Sequence, residues 1–287
     1  MRRMLSVLLL LVLAACLVEA QTSRSADSYF RRAKLRRFSM RSLLVSAILL
    51  LAFSASGARA QTSRTAMSYL DRGNRFYAGG DLDRAIGDYD TAITLEPGWA
   101  LAYYDRGVAR YAKGYLDGAI ADFNAAIKIN ERYAVAYYYR SNVLYVQGNF
   151  DGAIEGYNKA IELNPRLAEA YCNRGLARKA KGDLDGAIAD YNLSLKVNPR
   201  LAAAYNNRGN IIQSKGLLWE ALADFNRAIN IDRRYAAAYA NRGSVLLQLG
   251  KVAAAEKDFQ RAVGLDSKLK SDIEAKKALN ERFTTKH

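Results

Sequence analysis

The sequence predicts an all-α fold: a solenoid of six 34-residue helix-turn-helix repeats closed by a C-terminal capping helix. Three observations carry that prediction. Identical residues recur every 34 positions from Ala66 onward, with no insertion. A glycine closes the first half of every unit, and apolar residues in the second half follow the helical spacing i, i+3, i+4, i+7. Composition agrees: three prolines among 287 residues, with abundant Ala, Leu and Ile, favour helix over sheet.

The units are 66–99, 100–133, 134–167, 168–201, 202–235 and 236–269. Position four is always tyrosine: Tyr69, Tyr103, Tyr137, Tyr171, Tyr205 and Tyr239. Position fifteen is always glycine, as in Gly80 and Gly114, which ends the first helix because it adopts the left-handed conformation without a Cβ clash. Asp81, Asn149 and Asp183 follow it and suit the turn into the second helix. Position twenty is always alanine. Position eight is glycine in five units and Ser141 in the third. A mid-helix glycine costs about 1 kcal/mol relative to alanine, so it implies the close approach of another helix. In the second helix of repeat two, Leu116, Ile120, Phe123 and Ile127 form one apolar face, and Pro97, Pro165 and Pro199 fall just beyond the corresponding helices and stop them. A lone hairpin cannot bury both faces; stacking buries them. After the sixth unit, residues 270–287 read as a capping helix and tail. Ile273 and Leu279 are expected to cover the last hairpin, with Lys270, Lys276 and Lys277 facing water.

These columns resemble the tetratricopeptide repeat family. The resemblance rests on the aromatic at four, small residues at eight and twenty, an aromatic at twenty-four (Tyr89, Phe123, Tyr157, Tyr191, Phe225, Phe259), a small residue at twenty-seven, and proline at thirty-two in three units. It covers residues 66–269 and implies a right-handed superhelix that binds proteins or peptides, with the first helices lining a concave face. The implied inward positions carry Tyr77, Tyr104, Tyr111, Tyr138 and Tyr145 in the first three units, with Asn74 and Asn142 between, and Asn206, Asn210, Gln213 and Ser214 in the fifth. The groove is therefore expected to pass from aromatic to polar along its length. Tyrosine suits recognition, being large, rigid and able to hydrogen-bond, although the same rings also suit packing between repeats. Position six holds Asn173, Asn207 and Asn241, a ladder similar to the asparagine ladder of O-linked N-acetylglucosamine transferases, which grips peptide backbone; a plain solvated polar face is the other reading.

Position seven is arginine in every unit, where the family usually has leucine, and position twenty-three is aspartate in five. Such columns suggest a structural Arg–Asp ladder. Repeat three has Gly156 instead, which leaves Arg140 without that partner and open to a ligand. The chaperone-tail clamp of some relatives needs lysines at concave positions five and nine, and there are none here. Cys172, at position five, has no histidine near it, since the only histidine is His287.

Two signal-like segments precede the repeats. Arg2 and Arg3 lead an apolar run from Leu5 to Val18, ahead of Gln21; Arg41 leads a second run from Leu43 to Phe53, and Ala58-Arg59-Ala60 precedes Gln61. The five residues from Ala20 to Arg24 match those from Ala60 to Arg64. Two readings stand for residues 1–39: a duplicated signal, or an extension upstream of a start at Met40. Residues 40–60 read as a signal peptide, with export to the periplasm or outside the cell. Leu13-Ala14-Ala15-Cys16 resembles a lipobox, which would anchor the chain by a lipid on Cys16.

The formal charge of +15 alone would suggest nucleic acid, but residues 1–60 contribute +8 of it. Residues 66–167 carry −2 and residues 168–287 carry +8. The expected function is therefore an exported scaffold or adaptor binding a protein or peptide, not an enzyme, with no cofactor and no metal. A lipid-anchored adaptor of envelope enzymes is the alternative, and a basic nucleic-acid-binding solenoid is the disfavoured one. Membrane contact is expected only through the signal segment or a lipid on Cys16.

Overall fold

The computed structural model describes residues 26–284 and divides into two units, Met1–Arg64 and Thr65–His287. The first apolar run, Cys16 and His287 lie outside the described residues. The described part of the first unit is helical and belongs to α1 (Ala26–Ala78). Along the second signal-like run, Leu44, Val45, Ile48, Leu49 and Leu51 are exposed. Among the described residues no helix is long and apolar enough to cross a membrane.

The second unit is the predicted α-solenoid. The end of α1 and α2 (Leu82–Leu95) make the first hairpin. Four more follow: α3 (Ala100–Ala112) with α4 (Leu116–Ile129), α5 (Ala134–Val146) with α6 (Phe150–Leu163), α7 (Ala168–Ala180) with α8 (Leu184–Val197), and α9 (Ala202–Ser214) with α10 (Leu218–Ile231). The sixth is α11 (Ala236–Gln248) with α12 (Val252–Leu265). Helices pack most closely within a hairpin, then against the next hairpin. First helices of consecutive repeats also touch (α3 with α5, α5 with α7, α7 with α9, α9 with α11), whereas second helices stand further apart. In a curved stack the closer-spaced elements lie on the inside, so the first helices line the concave face.

The glycine that closes each first helix has φ between 72° and 85°, a region that costs a residue with a Cβ. Directly after it, Asp81, Asn149 and Asp183 cap the second helix by accepting from the backbone N–H three residues on. Position-eight glycines answer to the aromatic column. A Cβ on Gly107 would lie 2.8 Å from the Phe123 ring, and one on Gly243 would lie 2.7 Å from Phe259. The six position-twenty-four rings and six position-twenty alanines are all buried. Truncating one such ring to alanine typically costs about 3–5 kcal/mol.

The cap, α13 (Lys270–Thr284), follows a short 3₁₀ turn at Ser267–Leu269. It starts 34 residues after Ala236, at position one of an incomplete seventh unit. Ile273 stands in the tyrosine column and is 1% exposed, as expected of a cover. The expectation for two of the lysines needs correction. Lys276 reaches Asp272 and donates to the Asn241 side-chain Oδ1 at 3.2 Å; Lys277 bridges to Glu256 over the face of Phe259. Both are partly buried, because their aliphatic stems cover apolar surface while the ammonium finds an oxygen at the edge.

Candidate functional site

Two ladders hold consecutive repeats in register, and both leave the concave face to other residues. In the first, the position-seven arginine makes a forked bond to the buried aspartate at position twenty-three of its own repeat. Nε and Nη2 of Arg72, Arg106, Arg174, Arg208 and Arg242 donate to Asp88, Asp122, Asp190, Asp224 and Asp258 at 2.5–3.1 Å. Each arginine also lies over the position-four tyrosine of its own helix, 4.9–5.6 Å from the ring centre. From the second repeat on, Nη1 crosses to position twenty-five of the preceding repeat: Asp90, Asn124, Asn158, Asn192 or Asn226, at 2.5–2.8 Å. One guanidinium thus ties two helices of one hairpin to the hairpin before it. The bonds to Asp224 and Asp258 raise the pKa values of Arg208 and Arg242 above the ordinary arginine value. Extra arginines reinforce alternate repeats, Arg110 on Asp122 and Arg178 on Asp190, both at 2.9 Å.

The second ladder runs along the turns. Lys113, Gln147, Lys181 and Lys215 donate to Asp83, Asp117, Asp151 and Asp185 of the preceding repeat. At the last junction these positions are Leu249 and Trp219; Trp219 is 59% exposed beneath the Lys251 ammonium.

On the first-helix face the nine expected site residues fall into two groups. Tyr77 is 37% exposed, and Tyr111 and Tyr145, at the same repeat position, are half-buried. Tyr145 rests one edge on Phe150, 5.5 Å between ring centres. Tyr104 and Tyr138 are half-buried, and all four of Tyr104, Tyr111, Tyr138 and Tyr145 pack against the buried clusters around Phe123 and Tyr157. Tyr104 lies 5.3–6.1 Å from Tyr133, Tyr139 and Phe123, and burial raises its pKa. Tyr138 packs on Tyr139 and Tyr157. For both, packing between repeats is the alternative to recognition that the sequence left open. Position five faces the adjoining repeat as well as the groove, and a ring large enough to bind is large enough to reach both.

The amides are joined to one another. Asn173 donates to Asn142 at 2.9 Å and to the Tyr138 hydroxyl at 3.1 Å, while the Tyr157 hydroxyl donates to the same Asn142 oxygen at 2.7 Å. Asn241 donates to Asn206 at 2.9 Å, and Asn207 lies 3.8 Å from the Cys172 sulfur. Each position-six amide therefore reaches back to the preceding repeat, and Asn210 is half-buried between them in the chain. Cys172 is buried and its thiol is pushed up to about 11 by burial.

Position six of repeat two is different. Asp105 has its pKa raised to about 7 by desolvation alone, among the phenols of Tyr89, Tyr104 and Tyr133. Sequence reading missed this group, the position-twenty-five column and the turn ladder. The column was legible, since Asn124, Asn158, Asn192 and Asn226 recur at 34-residue intervals. The desolvation of Asp105 was not, because it depends on how Tyr89 of the preceding repeat and Tyr104 and Tyr133 of its own come together. Among the described residues no group of three or more His, Cys, Asp or Glu is placed to hold a metal ion.

Known proteins place this architecture. A TPR repeat model matches residues 73–114, 141–182 and 175–216, and a tetratricopeptide repeat model matches 100–133 and 236–269. No curated protein sequence matches the chain. Among solved structures, MamA is 27% identical, with 57% of this chain and 96% of that chain covered and a TM-score of 0.51. YrrB, described as a TPR protein with an unusual peptide-binding site, is 26% identical over 64% of this chain and 94% of its own, with a TM-score of 0.50. A tetratricopeptide repeat protein from Parabacteroides merdae shares the fold at 20% identity, covering 78% and 93% with a TM-score of 0.58. With six hairpins in unbroken register and family-model matches spread from the first repeat to the last, the chain belongs to the tetratricopeptide repeat family.

Proposed function

We propose that this protein is an exported adaptor that binds an extended peptide, or a protein segment, along its first-helix face. The observation that carries the reading is the row Tyr77, Tyr111 and Tyr145, one residue in each of the first three repeats, with Tyr77 exposed and the other two half-buried. Such a row offers flat apolar rings with polar tips at repeat spacing, which suits a peptide whose side chains alternate in direction. YrrB, a similar repeat protein, is described as having a peptide-binding site, which supports a peptide as the ligand class. Export is supported by the small residues Ala58 and Ala60 after an apolar stretch whose aliphatic side chains are exposed in α1.

Affinity capture from native envelope extract, followed by an array of peptides from the captured protein, tests the binding reading. Replacing Tyr77, Tyr111 and Tyr145 together by alanine should weaken the best peptide at least about tenfold while circular dichroism stays helical. Unchanged binding by the folded triple variant defeats the groove assignment. A steep loss of oligonucleotide binding with salt, without peptide binding, would favour nucleic acid instead. N-terminal sequencing of exported protein addresses processing: a start near Gln61 is expected. The lipobox at Cys16 gives the second reading, under which the mature chain begins with an acylated Cys16.

A further inference from the structure

The position-seven arginines supply five copies of one arrangement and a single exception. In repeat three the aspartate is Gly156. Arg140 keeps its bond to Asn124 at 2.8 Å and its stack on Tyr137, 5.2 Å from the ring centre, but its Nε is buried with no hydrogen-bond partner. A guanidinium does not lose its proton near neutral pH, so the stranded donor cannot be relieved by titration.

The same repeat shows why the chain supplies no carboxylate of its own. Ser141 replaces the position-eight glycine, is fully buried, and donates to the Tyr137 carbonyl at 2.8 Å. A side chain on Gly156 would collide with its Oγ. A cleft of about 540 Å³ between α4 and α6 has Tyr137, the stacking partner of Arg140, in its wall. Lys128, Arg132 and Lys159 also line it against Glu131 and Glu162, and Glu162 is held by Lys159 at 2.8 Å. Three cations there face two carboxylates, so an anion is drawn towards the Tyr137 ring on which Arg140 stacks.

We infer that Arg140 binds an aliphatic carboxylate from outside the chain, through the guanidinium edge that meets aspartate in the other five repeats. Nε and Nη2 donate to its two oxygens, as Arg208 donates to Asp224 at 2.8 and 2.7 Å. The ligand is acetate-sized at its reacting end: a free small carboxylate, or an Asp or Glu side chain of a bound peptide. This site lies apart from the tyrosine row and does not depend on it.

The test compares thermal unfolding of the full chain in potassium acetate and in potassium chloride at equal ionic strength and pH 7. Three proteins are needed: wild type, Arg140→Met, and the double variant Ser141→Gly/Gly156→Asp, which returns the carboxylate to the chain. Acetate should raise the wild-type Tm by roughly 2–4 °C over chloride and leave both variants unmoved. Line broadening of labelled acetate in NMR should follow the same pattern, and the double variant alone decides the matter if Arg140→Met fails to fold. An aspartate-containing peptide and its asparagine twin then separate the sources. Displacement of acetate by the first alone, at lower concentration than free acetate needs, assigns a peptide side chain; no displacement assigns a free carboxylate. Equal responses of all three proteins to acetate, in both measurements, overturn the inference.

Discussion

Ser141 and Gly156 exclude each other's ordinary side chains: the Ser141 hydroxyl fills the space into which a Gly156 side chain would project. The two departures of repeat three from the repeat pattern are therefore one event. Introducing Gly156→Asp alone should destabilise by about 1–3 kcal/mol through overpacking. Adding Ser141→Gly should recover that loss, because the new carboxylate can then reach Arg140. A double-mutant cycle by chemical denaturation measures the coupling, and strictly additive effects would contradict the exclusion.

Arg208 should be a stability residue. It holds the buried Asp224, Asn192 of the preceding repeat and the Tyr205 ring at once. Arg208→Met strands the Asp224 carboxylate and should cost about 2–4 kcal/mol, with Asp224→Asn in the same chain restoring part of it. Denaturant midpoints of the two variants check this.

Tyrosines at positions five and twelve should part company. Tyr104→Ala removes a ring set among three others and should lower stability by about 2–4 kcal/mol. Tyr77→Ala, at an exposed site, should change stability by less than about 0.5 kcal/mol. Similar thermal midpoints for the two variants would show that Tyr104 is not a packing residue.

Asp105 should make stability pH-dependent. Its folded pKa, about 7, lies above the ordinary value of 3.8, so the folded state holds the proton more tightly than the unfolded one. That contribution is fully present below about pH 4 and is lost as pH rises through 7. Asp105→Asn keeps the shape without the charge, and above pH 7 it should be more stable than wild type by about 1–3 kcal/mol. The difference should vanish towards pH 4, and carboxyl NMR titration of Asp105 gives the folded value directly.

The sequence by itself determined the repeat, its register and its helical hairpins. Those features rest on local chemistry: a left-handed glycine turn such as Gly114, a cap such as Asp183, a glycine such as Gly107 under a ring 16 residues on. A 34-residue period repeats that chemistry six times, so the pairing of Arg208 with Asp224 was legible as two columns. Tertiary structure alone decided what each concave side chain does. Tyr104 and Tyr77 are both tyrosines at inward positions, yet Tyr104 meets the Tyr139 ring of the next repeat, 5.5 Å between centres. Asn173 and Asn241 form bonds across repeat boundaries, Lys277 lies over Phe259, and Asp105 is desolvated near Tyr89 of the preceding repeat. The physical reason is common to all of them. Periodicity reports which residues share a face, whereas burial and hydrogen bonding at a repeat junction depend on the size of side chains contributed by two different repeats.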